Sequence, residues 1–185
     1  MIYVFLAEGF EDIEAIAPVD IMRRAGLPVE TVSVTGNRVV TSAHGVGFVA
    51  DRLFEEVSIE DAELLVLPGG MPGATNLYAC EPLRRAILTH HAAGRMLAAI
   101  CAAPLVYGRM GLLRGVNATC YPGFESELQG ATCTGALVEQ DGQFVTAKGP
   151  GAAMEFGYAL ASLFVDSSIV EGLRSGMIYS ELLGE

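Results

Sequence analysis

Short apolar runs separated by helical segments are the feature that most constrains how this chain can fold. Residues 1–6, 64–67 and 96–100 are almost free of polar side chains. Runs this short predict strands that are buried on both faces, a property of parallel sheets. Since helical segments lie between these runs, we predict an α/β fold with a mostly parallel sheet covered by helices on both faces.

The whole chain of 185 residues is expected to form one domain, because no linker, repeat or low-complexity segment interrupts it. Glycine-rich and Asp-Gly turns predict two small hairpins within the larger pattern. Predicted strands cover residues 1–6, 29–34, 61–67, 96–100 and 117–120, the hairpins cover 39–50 and 136–147, predicted helices cover 11–25, 81–93, 104–110 and 153–165, and residues 167–185 are predicted to be helical and then irregular.

Charge and composition exclude several classes of partner. A formal net charge of −11 would repel phosphate, which argues against nucleic acid and anionic membrane surfaces. No apolar run reaches the roughly 18 residues of a membrane span. No basic residue precedes Arg23, as the start of a signal peptide would require, so we expect a cytoplasmic protein. The four cysteines and three histidines show neither a disulfide framework nor metal-ligand spacing, which predicts reduced thiols and no metal.

Cys101 stands at the end of a predicted strand and just before a predicted helix that begins near Pro104. A side chain on such a tight bend faces solvent above the positive end of the helix, as in the nucleophile elbow of hydrolases, and this position favours a thiolate. The flanking residues are Ala99 and Ala103 rather than the glycines of that elbow. Because free cysteine is also among the most buried residue types, the stretch itself leaves two interpretations open, a nucleophile and a packed thiol.

Two further features fall beyond the carboxyl ends of predicted strands, where parallel sheets bind ligands. Glu14 lies in an apolar stretch of the first helix, so its carboxyl group is either desolvated and protonated or turned toward solvent. Gly69 and Gly70 follow the strand that ends at Leu67, and they form either an oxyanion hole or a plain strand-to-helix turn. The convergence of these features on one edge with Cys101 predicts a site there.

The chain resembles the ThiJ/PfpI superfamily, and within it the parkinsonism-associated deglycase (DJ-one) subfamily. The resemblance extends over nearly the whole chain. It rests on AEGFEDIE at residues 7–14, PVDIMRRAG at 18–26, VLPGG at 66–70, AICAAP at 99–104 and KGPG at 148–151.

The resemblance implies a flavodoxin-like three-layer sandwich with a nucleophile elbow at Cys101 and a homodimer formed partly through the first helix. It implies a nucleophilic Cys101, a protonated Glu14 hydrogen-bonded to its sulfur, and oxyanion stabilisation by the backbone amides of Gly70 and Ala102. Family members are described as cofactor-independent enzymes that convert small 2-oxoaldehydes without glutathione or remove glycation from proteins. The expected partner is therefore a small aldehyde or a glycated protein.

One departure from the family is Tyr121, which stands where many relatives carry histidine before the proline that matches Pro122. Tyr121 either orients substrate through its hydroxyl group or only packs. Protease-like relatives have histidine after the cysteine, whereas this chain has Ala102, so peptidase and amidotransferase activities are disfavoured. Thiazole monophosphate biosynthesis is disfavoured because no phosphate-binding motif is present. The main alternative to an enzyme is a redox sensor or holdase chaperone that acts through oxidation of Cys101.

Overall fold

The structure, a computed structural model, describes residues 1–184. The strands are β1 (Ile2–Leu6), β2 (Val29–Ser33), β3 (Val39–Thr41), β4 (Gly47–Val49), β5 (Arg52–Leu53), β6 (Leu64–Leu67), β7 (Met96–Ile100), β8 (Asn117–Ala118), β9 (Thr132–Cys133), β10 (Val138–Asp141) and β11 (Phe144–Ala147). The helices are α1 (Asp12–Arg24), α2 (Gly73–Ala79), α3 (Glu81–Ala92), α4 (Pro104–Arg109), α5 (Ala153–Ser162), α6 (Ser167–Gly176) and α7 (Tyr179–Leu183), with 3-10 turns at Phe54–Glu56, Ile59–Asp61, Glu125–Glu127 and Pro150–Ala152.

A seven-stranded sheet in the order β10-β11-β7-β6-β1-β2-β5 forms the centre of the fold. Every neighbouring pair is parallel except β10 with β11, which form an antiparallel hairpin at one edge. Helix α1 packs against α5, and α2 packs against α3 and α4. The predicted α/β fold with a mostly parallel sheet flanked by helices is confirmed.

The apolar runs form the interior of this sheet. All residues of β1, β6 and β11 are buried, as are the last four residues of β7. Helices pack on both faces of the sheet and shield these strands from solvent. The carboxyl ends of β1, β6 and β7 therefore meet at one edge, and the segments that follow them carry Glu14, Gly69 and Cys101.

Several elements differ from the sequence-based predictions. Helix α2 and the two-residue strands β5 and β9 were not predicted, and β8 ends at Ala118 rather than at residue 120. Strand β6 begins only at Leu64, because a 3-10 turn occupies Ile59–Asp61. Residues 167–185 were predicted to be helical and then irregular; α6 confirms the helical part, whereas α7 forms where irregular structure was expected, and Glu185 lies outside the described residues. None of the helices described here has the length and apolar character needed to cross a membrane.

Candidate active site

Cys101 occupies a strained turn between β7 and α4. Its backbone φ is +64°, a left-handed conformation that few residues other than glycine adopt. Two backbone hydrogen bonds hold the turn: Cys101 N donates to the Ala147 carbonyl at 2.8 Å, and Tyr121 N donates to the Cys101 carbonyl at 2.8 Å. The side chain is 8% exposed. The turn therefore presents the sulfur at the carboxyl edge of the sheet while keeping it largely out of water.

Glu14 lies beside this sulfur in the first turn of α1. Its side chain is fully buried, and Oε2 accepts a hydrogen bond from Gly69 N at 3.0 Å. Oε1 has no hydrogen-bond partner within residues 1–184, while the Cys101 thiol interacts with the Glu14 carboxyl group and partly offsets the effect of burial on its pKa. Burial, together with the nearby charge of Glu11, raises the pKa of Glu14 to about 7. Of the two environments considered for Glu14, the structure has the desolvated one.

The position of Cys101 before a helix predicted a stabilised thiolate, but its environment in the structure favours the protonated thiol. Burial, and then the negative charge of Glu14, raise the pKa of the Cys101 thiol to about 12. That repulsion exists only while Glu14 is ionised, so the two groups titrate as one pair. Near pH 7 the pair loses its first proton, and burial keeps the remaining proton mainly on the Cys101 sulfur. A thiolate forms when that proton moves to the Glu14 carboxylate, so activation depends on Glu14 rather than on the helix terminus.

Two backbone amides point at the Cys101 sulfur, those of Gly70 and Ala102. Neither amide donates to a backbone carbonyl within residues 1–184, so both are free to bind a negatively charged atom. Gly70 reaches this position with a φ of +88°, which glycine adopts without strain. The structure thus brings together the two amides expected to stabilise an oxyanion.

Gly69 is required by the close approach of Glu14 and Cys101. A Cβ atom at this position would lie 2.5 Å from Glu14 Oε2 and 2.7 Å from Cys101 Cβ. We expect Gly69→Ala to lower the free energy of unfolding by about 1–3 kcal/mol, the usual effect of overpacking. Urea denaturation measures the change, and Gly151→Ala, where no atom lies within 4 Å of a new Cβ, is the matched control. Equal stability of the two variants would contradict the tight packing.

Tyr121 is placed next to the site by its backbone. While its N–H group binds the Cys101 carbonyl, its ring is 46% exposed and lies against Gly149, where a Cβ would be 3.0 Å from Cδ2. The ring forms one wall of a cavity of about 210 Å³ that also contains Leu137 and Lys148. Cys101 and Glu14 do not line this cavity, so Tyr121 contacts the site through its backbone N–H group.

A comparison with protein families shows which family has this arrangement of residues. Residues 1–163 match the model of the DJ-1/PfpI family. The chain belongs to the DJ-1/PfpI family. The resemblance inferred from its sequence motifs is thereby confirmed.

Individual DJ-1/PfpI relatives are similar over most of this chain. Protein DJ-1 homolog B of Arabidopsis thaliana is 42% identical over 84% of the chain, and that match spans 36% of the plant protein. A protein named deglycase from Pyrococcus abyssi is 32% identical over 81% of the chain and 90% of its own length. The structure of oxidized Toxoplasma gondii DJ-1 superposes with a TM-score of 0.91 at 32% identity, covering 96% of this chain and 97% of that one.

One feature beside this DJ-1/PfpI site was missed by sequence reasoning. His44, expected to be an exposed loop residue, is exposed but also pairs with Asp12, with 2.8 Å between Nδ1 and Oδ2. Ligand atoms of His44, Asp12 and Glu11 lie within 4.8 Å of one another, so these side chains are of a kind that could hold a metal ion. His44 lies more than 30 positions from Glu11 and Asp12 in sequence, so no local spacing revealed the group. Asp12 raises the pKa of His44, as expected for an ion pair.

Proposed function

We propose that this protein converts small 2-oxoaldehydes such as methylglyoxal into 2-hydroxyacids, without glutathione or another cofactor. The observation that supports the proposal most strongly is the buried Glu14 carboxyl group, with a pKa of about 7, beside a cysteine that two free amides face. An acid that exchanges protons near neutral pH, a sulfur nucleophile and an oxyanion site are the groups this reaction needs. Deglycation, the activity in the name of the Pyrococcus relative, would be the same chemistry on a bound aldehyde.

The proposed reaction begins when the Cys101 sulfur adds to the aldehyde carbon. The carbonyl π electrons move to oxygen, where the amides of Gly70 and Ala102 stabilise the negative charge, and a proton from Glu14 gives the hemithioacetal. The Glu14 carboxylate then removes the hydrogen from the former aldehyde carbon, and the electron pair of that bond moves toward the ketone to give an enediolate. Glu14 returns a proton to the neighbouring carbon, while the hydroxyl proton of the former aldehyde carbon passes to the ketone oxygen. The resulting 2-hydroxyacyl thioester is hydrolysed by water, which releases the hydroxyacid and the Cys101 thiol. The sum is 2-oxoaldehyde plus water giving 2-hydroxyacid.

Product analysis in deuterated water tests this proposal. Incubation with methylglyoxal, without glutathione, is expected to yield one lactate per aldehyde consumed, with deuterium on the carbon that bears the hydroxyl group. Loss of methylglyoxal without lactate would instead indicate simple trapping by protein side chains and would contradict the proposal. Phenylglyoxal as a second substrate would show whether the site accepts a larger substituent.

A redox sensor or holdase acting through Cys101 is the second candidate. It is favoured by the free Oε1 atom of Glu14, which when protonated can donate a hydrogen bond to an oxidised sulfur. Intact-mass analysis after peroxide titration distinguishes it, since two added oxygen atoms are then expected on Cys101. Oxygen addition that favours Cys80, Cys120 or Cys133 would contradict this candidate. Turnover of aldehyde is the better supported function, because the amides of Gly70 and Ala102 provide an oxyanion site that a redox sensor does not need.

We also propose that α1 mediates a homodimer, as its exposed apolar side chains suggest. Ile13 is 54% exposed and Ile16 is 41% exposed. Together with Met154 of α5 they line a surface cavity of about 430 Å³. Apolar surface of this kind is typical of protein interfaces. A second copy of the chain is the proposed partner, in the cytoplasm, and the net charge argues against nucleic acid.

Ile13→Glu tests this interface. A buried carboxylate from each protomer would oppose association, so sedimentation velocity is expected to show a monomer for this variant and a dimer for the wild type. Leu88→Glu, at an exposed apolar position on α3, is the matched control and should remain dimeric. A wild-type monomer at micromolar concentration would contradict the proposal.

A further inference from the structure

Two cysteines that the proposed reaction does not use lie close together on the segment that leads to Tyr121. Strands β8 and β9 pair in parallel, with Ala118 opposite Cys133, and Thr134 N donates to the Ala118 carbonyl at 2.9 Å. Strand β8 ends at Ala118, two residues before Cys120, but the chain stays beside the segment that follows β9, because the Thr119 hydroxyl group donates to the Ala136 carbonyl at 2.8 Å. Cys120 and Cys133 therefore lie on adjacent segments.

Their electrostatic environment also places the two thiols together. Burial, then the charge of Glu125, then that of an ionised Cys133 raise the pKa of Cys120 to about 12. Burial and the same Glu125 raise the pKa of Cys133. The Cys133 Sγ lies 3.9 Å from the Glu125 carbonyl oxygen, to which it donates a weak hydrogen bond. Both thiols therefore lie near Glu125, and each lies near the other.

We propose that Cys120 and Cys133 form a reversible disulfide when the protein meets hydrogen peroxide. Cys133 is exposed and Cys120 is 5% exposed, so peroxide reaches Cys133 first. The O–O bond breaks as the sulfur takes one oxygen to become a sulfenic acid, and the other oxygen leaves as water. The Cys120 sulfur then displaces the hydroxyl group from Cys133, forming the S–S bond and a second water. Two thiols are oxidised by two electrons and one peroxide is reduced.

Forming this bond requires the Cα atoms of Cys120 and Cys133 to lie about 4.4–6.8 Å apart. Because Cys133 lies opposite Ala118 rather than Cys120, we expect β9 to shift relative to β8 when the bond forms. Both residues of β9 are exposed, and Gly135 follows closely with a φ of +72°, so little packing opposes the shift. A disulfide that holds β9 away from its position in the reduced protein is strained and therefore easily reduced, as regulatory disulfides are. It would anchor the residue before Tyr121, whose N–H group binds the Cys101 carbonyl.

The test uses full-length protein with Cys80→Ala and Cys101→Ala, so that Cys120 and Cys133 are the remaining thiols. Treatment with peroxide at low protein concentration, then alkylation in denaturant, is expected to leave a monomer lacking two hydrogens and unreactive to alkylating agent. Trypsin leaves both cysteines between Arg114 and Lys148, but cleavage at Glu125 or Glu127 separates them, so a linked pair of peptides identifies the bond. Dithiothreitol should restore both thiols. Because the background lacks Cys101, the result is independent of the proposed aldehyde chemistry.

Two variants make the test decisive. Cys133→Ser in the same background should keep Cys120 reduced. Glu125→Gln removes the shared negative charge and is expected to speed disulfide formation by up to about tenfold, the effect of one pKa unit on the thiolate population. Free thiols after peroxide treatment, a sulfinic acid on Cys133, or only disulfide-linked dimers would each overturn the proposal. An unchanged or slower rate in Glu125→Gln would overturn the role given to that residue.

Discussion

Replacing Cys101 by alanine is expected to lower the rate of lactate formation from methylglyoxal by at least about a thousandfold, because loss of a catalytic nucleophile removes the covalent route altogether. Alanine keeps the Cβ atom, so the left-handed turn at φ +64° carries the same backbone strain in both proteins. The loss should appear in kcat. The rate of lactate formation at saturating methylglyoxal, without glutathione, is the measurement.

Cys80→Ala provides the control for this result. Cys80 is a partly exposed free cysteine at the amino end of α3, a position where a thiol can trap aldehyde without turnover. This variant should keep the wild-type rate within about twofold, as expected for a substitution away from the site. If Cys101→Ala and wild type formed lactate equally fast, Cys101 would not be the nucleophile and the proposed reaction would be wrong.

The parts of the fold that could be predicted from sequence are those that local pattern determines. The runs at β1, β6 and β7 are apolar because both faces of each strand are covered, so their sequences alone indicate buried strands. Strands β5 and β9 contain two residues each, and they are strands only through their pairing with β2 and β8, respectively. No periodicity can be read from two residues, which is why sequence reasoning missed both.

The candidate site divides in the same way. The positions of Cys101 and Gly70 at strand ends follow from the sequence, because the carboxyl ends of parallel strands share one edge. The burial of Glu14 does not, since its nearest groups are Gly69 and Cys101 from two other segments. Burial, and then the contact with Glu14, raise the pKa of the Cys101 thiol, whereas a helix terminus considered by itself would lower it. Sequence predicted where the groups lie, and tertiary packing decided how they titrate.

Glu14→Gln is expected to lower kcat/KM for methylglyoxal by about a hundredfold or more, the usual contribution of a general acid–base group. Glutamine has nearly the same shape and can still accept the hydrogen bond from Gly69 N, so the turn should remain intact. What it cannot do is take the proton from the hemithioacetal carbon or exchange one with the Cys101 sulfur. Glu171→Gln, an exposed substitution on α6, is the matched control for the loss of one negative charge.

The pH profile separates this role from a merely structural one. In the wild type the inactive form of the pair holds both protons, and the first is lost near the Glu14 pKa of about 7, so kcat/KM should rise with pH through about 7 and then level off. In Glu14→Gln the thiol titrates without its acidic partner, so the rise near pH 7 should disappear and the remaining activity should increase only at higher pH. A Glu14→Gln profile that kept its rise near pH 7 would show that another group controls the sulfur.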